Sequence, residues 1–396
     1  MSLTNTPNAN RLHIALFGRR NSGKSSLINA LTGQDTALVS DTPGTTTDLV
    51  SQAMEMQGIG PCLFIDTPGF DDEGELGELR VSRTLKAIEK TDIALLLCGD
   101  TTFSHEKEIL ALLKEKNIPV IPVLNKIDIR ENSDHLATYI EEQCKIHPLL
   151  ISAKEKIGIE LIRQAILEKL PSDFGQQSIT RELVTENDLV LLVMPQDIQA
   201  PKGRLILPQV QTIRELLDKK CLVMTCTTDK FSATLQALAR PPKLIITDSQ
   251  VFKTIYEQKP KESELTSFSV LFAGYKGDIH YYVESAATIE RLTESSRVLI
   301  AEACTHAPLS EDIGRVKLPR LLRKWIGENL QIDMVAGTDF PQDLTPYSLV
   351  IHCGACMFNR KYVLSRIERA REQHIPMTNY GVAIAYLNGI LDQIEY

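Results

Sequence analysis

The sequence predicts an α/β protein in three parts, each a parallel sheet doubly wound with helices. Three observations predict it. Short apolar runs alternate with longer amphipathic stretches from residue 12 onward, the pattern of strands buried on both faces and joined by crossover helices. Polar, turn-rich segments interrupt the pattern at 171–178 and 257–264 and so divide the chain. Chemically reactive side chains gather just after the apolar runs, where open α/β sheets collect their ligands. The domains read as 1–172, 180–260 and 267–396.

The chain has 396 residues, 43% hydrophobic and 24% charged, the composition of an ordinary soluble protein large enough for several cores. A net charge of -8 argues against a protein built mainly to grip nucleic acid. The first ten residues, MSLTNTPNAN, lack the basic and apolar regions of a signal peptide. No apolar run approaches the roughly 18 residues of a membrane span. A cytoplasmic location and no membrane partner are expected. Eight cysteines without a secretory signal read as reduced thiols, with Cys62, Cys98, Cys144, Cys221 and Cys226 assigned to packing.

In the first part the strand LHIALF runs into Gly18-Arg-Arg-Asn21-Ser22-Gly23-Lys24-Ser25, and Ser26 opens a helical run. This is GxxxxGKS in a strand-loop-helix context. The glycines let backbone amides curl round a β-phosphate at a helix N-terminus, Lys24 neutralises the β and γ oxygens, and Ser25 holds Mg²⁺. The strand CLFID ends in Asp66-Thr-Pro-Gly69. Asp66 is placed to meet Mg²⁺ through water, and the Gly69 amide to meet the γ-phosphate. The strand VIPVLN ends in Asn125-Lys126-Ile-Asp128, whose carboxylate can accept from guanine N1 and N2, which adenine does not supply. After PLLIS comes Ser152-Ala153-Lys154, with the Ala153 amide as donor to guanine O6. Four such stations in register, each at a strand end, predict GTP binding. The fold class is therefore a P-loop GTPase domain followed by two further doubly wound parallel-sheet domains.

Thr42-Pro-Gly-Thr45-Thr46-Thr47-Asp48 reads as a switch loop, with Thr46, or its neighbour Thr45, completing the Mg²⁺ shell. Lys24 and Thr46 are the candidate catalytic groups. Phe70 stands where Ras-like enzymes carry a water-orienting glutamine, so intrinsic hydrolysis should be slow. Asn21 either shapes the P-loop turn or, as it resembles the P-loop asparagine of tRNA-modifying GTPases, helps bind K⁺ beside the phosphates.

The middle part shows apolar strands LVLLVMP, CLVMTCT and KLIITD with helices between them and no catalytic constellation. A small sheet with unprotected edges recruits a partner strand or a covering element, so this part reads as an assembly module or as a scaffold packed on its neighbours. In the third part, FSVLFAG, RVLIAEAC and SLVIHC read as strands. The last two end in Cys304-Thr-His306 and His352-Cys353-Gly-Ala-Cys356. Three thiolates and an imidazole suit tetrahedral zinc, and three thiolates with a replaceable fourth ligand suit a [4Fe-4S] cluster equally well. Spacing does not decide between them. For the fourth position His306 and His352 compete, His352 being favoured because it adjoins Cys353. Arg315, Lys317, Arg320, Arg323, Lys324, Arg360 and Lys361 give the neighbourhood a positive cast that would favour an anionic guest.

A GxxxxGKS domain joined to CTH and HCGAC resembles the [FeFe]-hydrogenase maturation GTPases, the HydF family, along the whole chain and in order. The cysteine clusters are the specific part. The resemblance implies that the middle domain forms a homodimer and that Cys304, Cys353 and Cys356 are thiolate ligands of a [4Fe-4S] cluster. It also implies a scaffold and carrier that passes a diiron precursor to apo-[FeFe]-hydrogenase after the work of two radical-SAM maturation enzymes. The cofactors would then be GTP, Mg²⁺, K⁺ and the cluster. Two other readings stay open: a zinc-bearing GTPase of RNA modification or ribosome assembly, and a GTP-switched binding module with a structural metal.

Overall fold

A computed structural model describes residues 6–33, 50–69, 83–99, 103–171, 174–175, 177–195, 205–303 and 313–396. The chain forms two compact units, Met1–Gly175 and Gln176–Tyr396.

The first unit holds a six-stranded sheet in the order β2-β3-β1-β4-β5-β6. Its strands are β1 (Leu12–Gly18), β2 (Val50–Met56), β3 (Gly60–Asp66), β4 (Ile93–Cys98), β5 (Val120–Leu124) and β6 (Leu149–Leu150). β2 pairs antiparallel with β3, and the remaining pairs are parallel. β1 is buried at every residue because helices cover both of its faces. Leu12, Ile14 and Leu16 pack with Leu27 and Ile28 of the helix Lys24–Thr32 and with Ile162 and Ile166 of the helix Ile159–Glu168. Ala15 and Phe17 pack with the helices Ser104–Glu115 and Ser133–Cys144 on the other side. The period-two alternation of a strand thus feeds two separate cores.

The second unit contains two four-stranded sheets, ordered β10-β9-β7-β8 and β12-β11-β13-β14. The first comprises β7 (Leu189–Val193), β8 (Leu222–Cys226), β9 (Leu244–Thr247) and β10 (Glu264–Ser267). The second comprises β11 (Arg297–Glu302), β12 (Gln331–Ala336), β13 (Leu349–His352) and β14 (Met377–Asn379). All pairings are parallel. One core runs from Leu191, Val193 and Ile245 of the first sheet to Leu299, Ala301 and Val350 of the second, so the two sheets form a single body.

The apolar run FSVLFAG, expected as a strand, is the start of the helix Phe268–Lys276. Ser267 caps it, its side chain accepting from the Val270 amide (3.2 Å), a strong start signal for a helix. Phe268, Val270, Leu271, Phe272 and Ala273 are all buried. The helix is largely enclosed and its first two turns carry no polar face to betray its period.

The two edges of the first small sheet differ. Along β10, the Glu395 amide donates to Leu265 O (3.0 Å) and Thr266 Oγ1 donates to Glu395 O (2.7 Å), so the chain's own residues run along that edge. β8 is the opposite edge, with Leu222 52% and Met224 39% exposed.

Candidate nucleotide and metal sites

The nucleotide residues converge at the carboxyl ends of β1, β3 and β5. A cavity of about 580 Å³ is lined by Arg20, Asn21, Gly23, Lys24, Ser25, Ser26, Asp66, Thr67, Gly69 and Lys126. The loop after Gly18 turns tightly. Asn21 lies at φ 60° and Gly23 at φ 94°, a region where Asn is tolerated and Gly favoured. A Cβ on Gly23 would also fall 2.2 Å from Asn125 Nδ2. Lys24 is buried, its Nζ donating to Gly18 O (2.8 Å) and Arg19 O (2.9 Å).

Ser25 Oγ donates to Asp66 Oδ2 (2.6 Å), so the two residues read separately as Mg²⁺ contacts meet. Burial pushes the Asp66 carboxyl up, against the hydrogen bond from Ser25 and the charge of Lys24. Its Oδ1 is buried without a partner among the described residues. A hydroxyl beside a carboxylate with a bare oxygen fits Mg²⁺, which prefers hard oxygen donors.

Asn125 ties the site together. Its Nδ2 donates to Ser22 O of the P-loop (3.1 Å), and its Oδ1 accepts from the amides of Lys126 (2.8 Å) and Ala153 (3.0 Å). The Ala153 amide, expected on guanine O6, is therefore engaged in holding the asparagine. A hydrogen bond from Ser152 holds the exposed Asp128 carboxyl below the usual carboxylate range, with Lys154 and Lys126 adding to the effect, so Asp128 stays an acceptor for a base edge.

Three contributors escaped the sequence reading. Arg20 lines the cavity. Thr67 Oγ1 donates to Leu16 O (2.6 Å) and fixes the turn after Asp66. Arg19 donates from Nε and Nη2 to Glu106, whose side chain is 1% exposed, anchoring the P-loop to the helix Ser104–Glu115. A charged residue inside a P-loop was the available signal for Arg20. The Thr42–Asp48 loop with Thr45 and Thr46, and Phe70, lie outside the described residues.

β11 and β13 are neighbours, with Ala301 opposite His352, so their carboxyl ends share one edge of the sheet. Cys304 and His306 lie outside the described residues. Cys353 Sγ accepts from the amides of Ala303 (3.0 Å) and Ala355 (3.4 Å), the latter placed by a φ of 51° at Ala355. Two backbone amides, one after each strand, donate to this one sulfur, an arrangement suited to a thiolate ligand. Cys356 is partly exposed. The donor set therefore fits a thiolate-bound metal centre, although among the described residues no group of three His, Cys, Asp or Glu side chains is assembled.

His352 has a different employment from the one expected. It is fully buried, its Nδ1–H donates to Cys353 O (2.8 Å) and its Nε2 accepts from Arg366 Nη1 (2.9 Å). Both ring nitrogens are engaged, which leaves neither lone pair for a metal. Burial, then the Arg366 charge, push its pKa down to about 3, so the ring is neutral. Several of the basic side chains are committed as well. Arg315 pairs with Glu302 (3.1 Å), Lys317 donates to Gln250, and Arg360 donates to Tyr275 O (3.0 Å) and Gly277 O (2.9 Å).

Residues 179–277 match the hydrogen maturase F dimerization domain and residues 280–394 the hydrogen maturase F tetramerization domain; together these cover more than half of the chain. The chain belongs to the hydrogen maturase F family. Residues 13–126 match the family described as 50S ribosome-binding GTPase, and the first domain is a GTPase that binds GTP with Mg²⁺. Relatives of this domain include the tRNA modification GTPase MnmE of Nitrosomonas europaea, 38% identical over 160 residues, which are 40% of this chain and 34% of that protein. GTPase Der of Wolinella succinogenes is 36% identical over 171 residues, 40% of this chain and 35% of that protein. The chain thus spans about a third of the length of the curated relatives it matches. Among solved structures, a single-residue variant of Aquifex aeolicus Era bound to GDP.AlF4- matches with a TM-score of 0.35 at 20% identity, over 57% of this chain and 98% of that one. The G domain of the T. maritima FeoB iron transporter matches with a TM-score of 0.33 at 24% identity, over 40% of this chain and 98% of that one. The family domains mark the maturase as an oligomer. No helix among the described residues is long and apolar enough to cross a membrane.

Proposed function

We propose that this hydrogenase-maturation GTPase is a cytoplasmic scaffold that holds a [4Fe-4S] cluster on Cys304, Cys353 and Cys356. It would deliver a diiron precursor to apo-[FeFe]-hydrogenase, working with radical-SAM maturation enzymes. The observation that carries the reading is the pair of backbone amides on the Cys353 sulfur at the adjoining ends of β11 and β13. A cluster held by three thiolates supplies an exchangeable iron corner where a metal fragment can bind reversibly. The protein's part is to favour the thiolate of Cys353 through its two amide donors and to hold that residue just past the end of β13. With both His352 nitrogens engaged, His306 is the imidazole candidate for the fourth position.

In the nucleotide site, Lys24 and the P-loop amides would take the phosphates, Ser25, Asp66 and Thr46 the Mg²⁺, and Asp128 the guanine edge. Asn21 is on the cavity wall, which supports K⁺ beside the phosphates. The exposed apolar edge of β8 supports a homodimer built through the middle domain. The identity with MnmE favours, as a second reading, a zinc-bearing GTPase of RNA modification.

Anaerobic purification followed by iron, sulfide and zinc analysis, visible spectroscopy and EPR tests the proposal. Iron and sulfide in near-equal amounts, lost in Cys304→Ser, Cys353→Ser and Cys356→Ser, are expected. A colourless protein holding one zinc would overturn the cluster and favour the second reading.

A further inference from the structure

Arg366, on the helix Arg360–Glu372, is the largest fully buried side chain among the described residues, 1% exposed. Its guanidinium carbon lies 4.7, 4.6 and 4.7 Å from the ring centres of Phe340, Phe358 and Tyr362. Nη2 donates to Gly337 O (2.6 Å) and to the Tyr362 hydroxyl (3.2 Å), Nη1 donates to His352 Nε2 (2.9 Å), and Nε has no acceptor among the described residues. All of these partners are neutral. Among the described residues no carboxylate pairs with it.

A guanidinium keeps its charge at any pH the fold survives. Aromatic faces attract a cation but do not neutralise it. An uncompensated charge in the interior is costly, and proteins retain one where an opposite charge stands within reach. The hydrogen bonds lead from the guanidinium to the backbone of Cys353. Arg366 donates to His352, His352 donates to the Cys353 carbonyl, and the Cys353 sulfur is the atom cradled by the two amides. The Asn379 side chain also donates to Cys353 O (3.2 Å), so that residue is held from two directions. His352 is a neutral spacer hydrogen-bonded to the buried cation on one side and to the Cys353 carbonyl on the other.

Resting on the cluster reading above, we infer that Arg366 is the built-in counter-charge of the metal-thiolate centre, positioned through His352. It touches neither the metal nor a substrate. Its fixed positive charge stabilises the anionic centre as a whole, and the more negative reduced form most. Burial strengthens this action because it removes the water that would screen it. The arrangement would serve an anionic centre bound through Cys353.

The test uses the full-length chain, reconstituted anaerobically with iron and sulfide and titrated with dithionite while EPR follows the reduced cluster. Arg366→Gln removes the charge. Its cluster should have a more negative midpoint potential than the native one and should lose iron to a chelator several-fold faster. Arg366→Lys keeps the charge and should restore the potential most of the way. Phe340→Glu places a carboxylate against the guanidinium and neutralises it with Arg366 still in place. It should move the potential in the same direction, and it decides the matter should Arg366→Gln fail to fold. A cluster whose potential and iron retention are the same in the native, Gln and Glu proteins overturns the counter-charge while leaving the cluster reading intact. A native chain that takes up no iron and sulfide overturns the cluster reading, and the inference with it.

Discussion

Truncating Asn125 should loosen the nucleotide site and the first unit together. The side chain is 3% exposed and makes three hydrogen bonds, one to the P-loop at Ser22 O and two from the amides of Lys126 and Ala153. Asn125→Ala leaves three buried backbone groups without those partners. At about 1 kcal/mol for each bond the loss is about 3 kcal/mol, roughly two orders of magnitude in the folding constant. Urea unfolding of the full chain measures it, the relevant transition being the one that GDP with Mg²⁺ shifts to higher urea. GDP affinity should fall in parallel, because the same bonds hold the P-loop against the guanine-recognition loop. Asn125→Asp provides a graded control: it keeps the two-acceptor oxygen, loses the donor to Ser22 O, and should fall between the native and alanine proteins. A shift within about 0.5 kcal/mol, the range of an ordinary surface substitution, would show that these loops are held by something else.

Asp128→Asn replaces an acceptor by a donor and should move nucleotide preference from GTP to XTP; an unchanged GTP preference in competition binding would remove Asp128 from base recognition. Hydrolysis should be faster in KCl than in NaCl at equal ionic strength, and Asn21→Ala should abolish the difference, whereas equal native rates return Asn21 to shaping its turn at φ 60°. Leu222→Lys with Met224→Lys puts two charges on the exposed edge of β8 and should halve the mass of the assembly measured by light scattering. An unaltered mass would place that interface elsewhere.

The nucleotide site was legible because its chemistry constrains residue identity. Phosphate, Mg²⁺ and guanine each demand particular groups at fixed distances from a strand end, and Ser25 with Asp66 shows two such readings meeting at 2.6 Å. The bracing around the site was not legible. Arg19 meets Glu106 across 87 positions of sequence, and nothing local marks either residue. His352 is engaged elsewhere for a related reason. Its adjacency to Cys353 resembles a ligand pattern, but the last residue of β13 points into the interior, where a helix fourteen positions later supplies Arg366. The FSVLFAG run failed differently. A nearly continuous apolar run carries no clear period, and a largely buried helix has the same composition as a buried strand. β12 escaped because it is a half-exposed edge, QIDMVA, whose polar residues mask its strand character.

The unequal edges of the sheet built from β7 to β10 govern how many copies can join through it. A strand edge is a reactive end in the sense of chain growth, and a subunit with two such ends is a bifunctional monomer that extends without limit. The strap at Glu395 acts as an end-group on β10, leaving β8 as the reactive end of this sheet among the described residues. Two copies meeting there through a twofold axis would exhaust each other's valence, so growth through this sheet would terminate at a pair at any concentration.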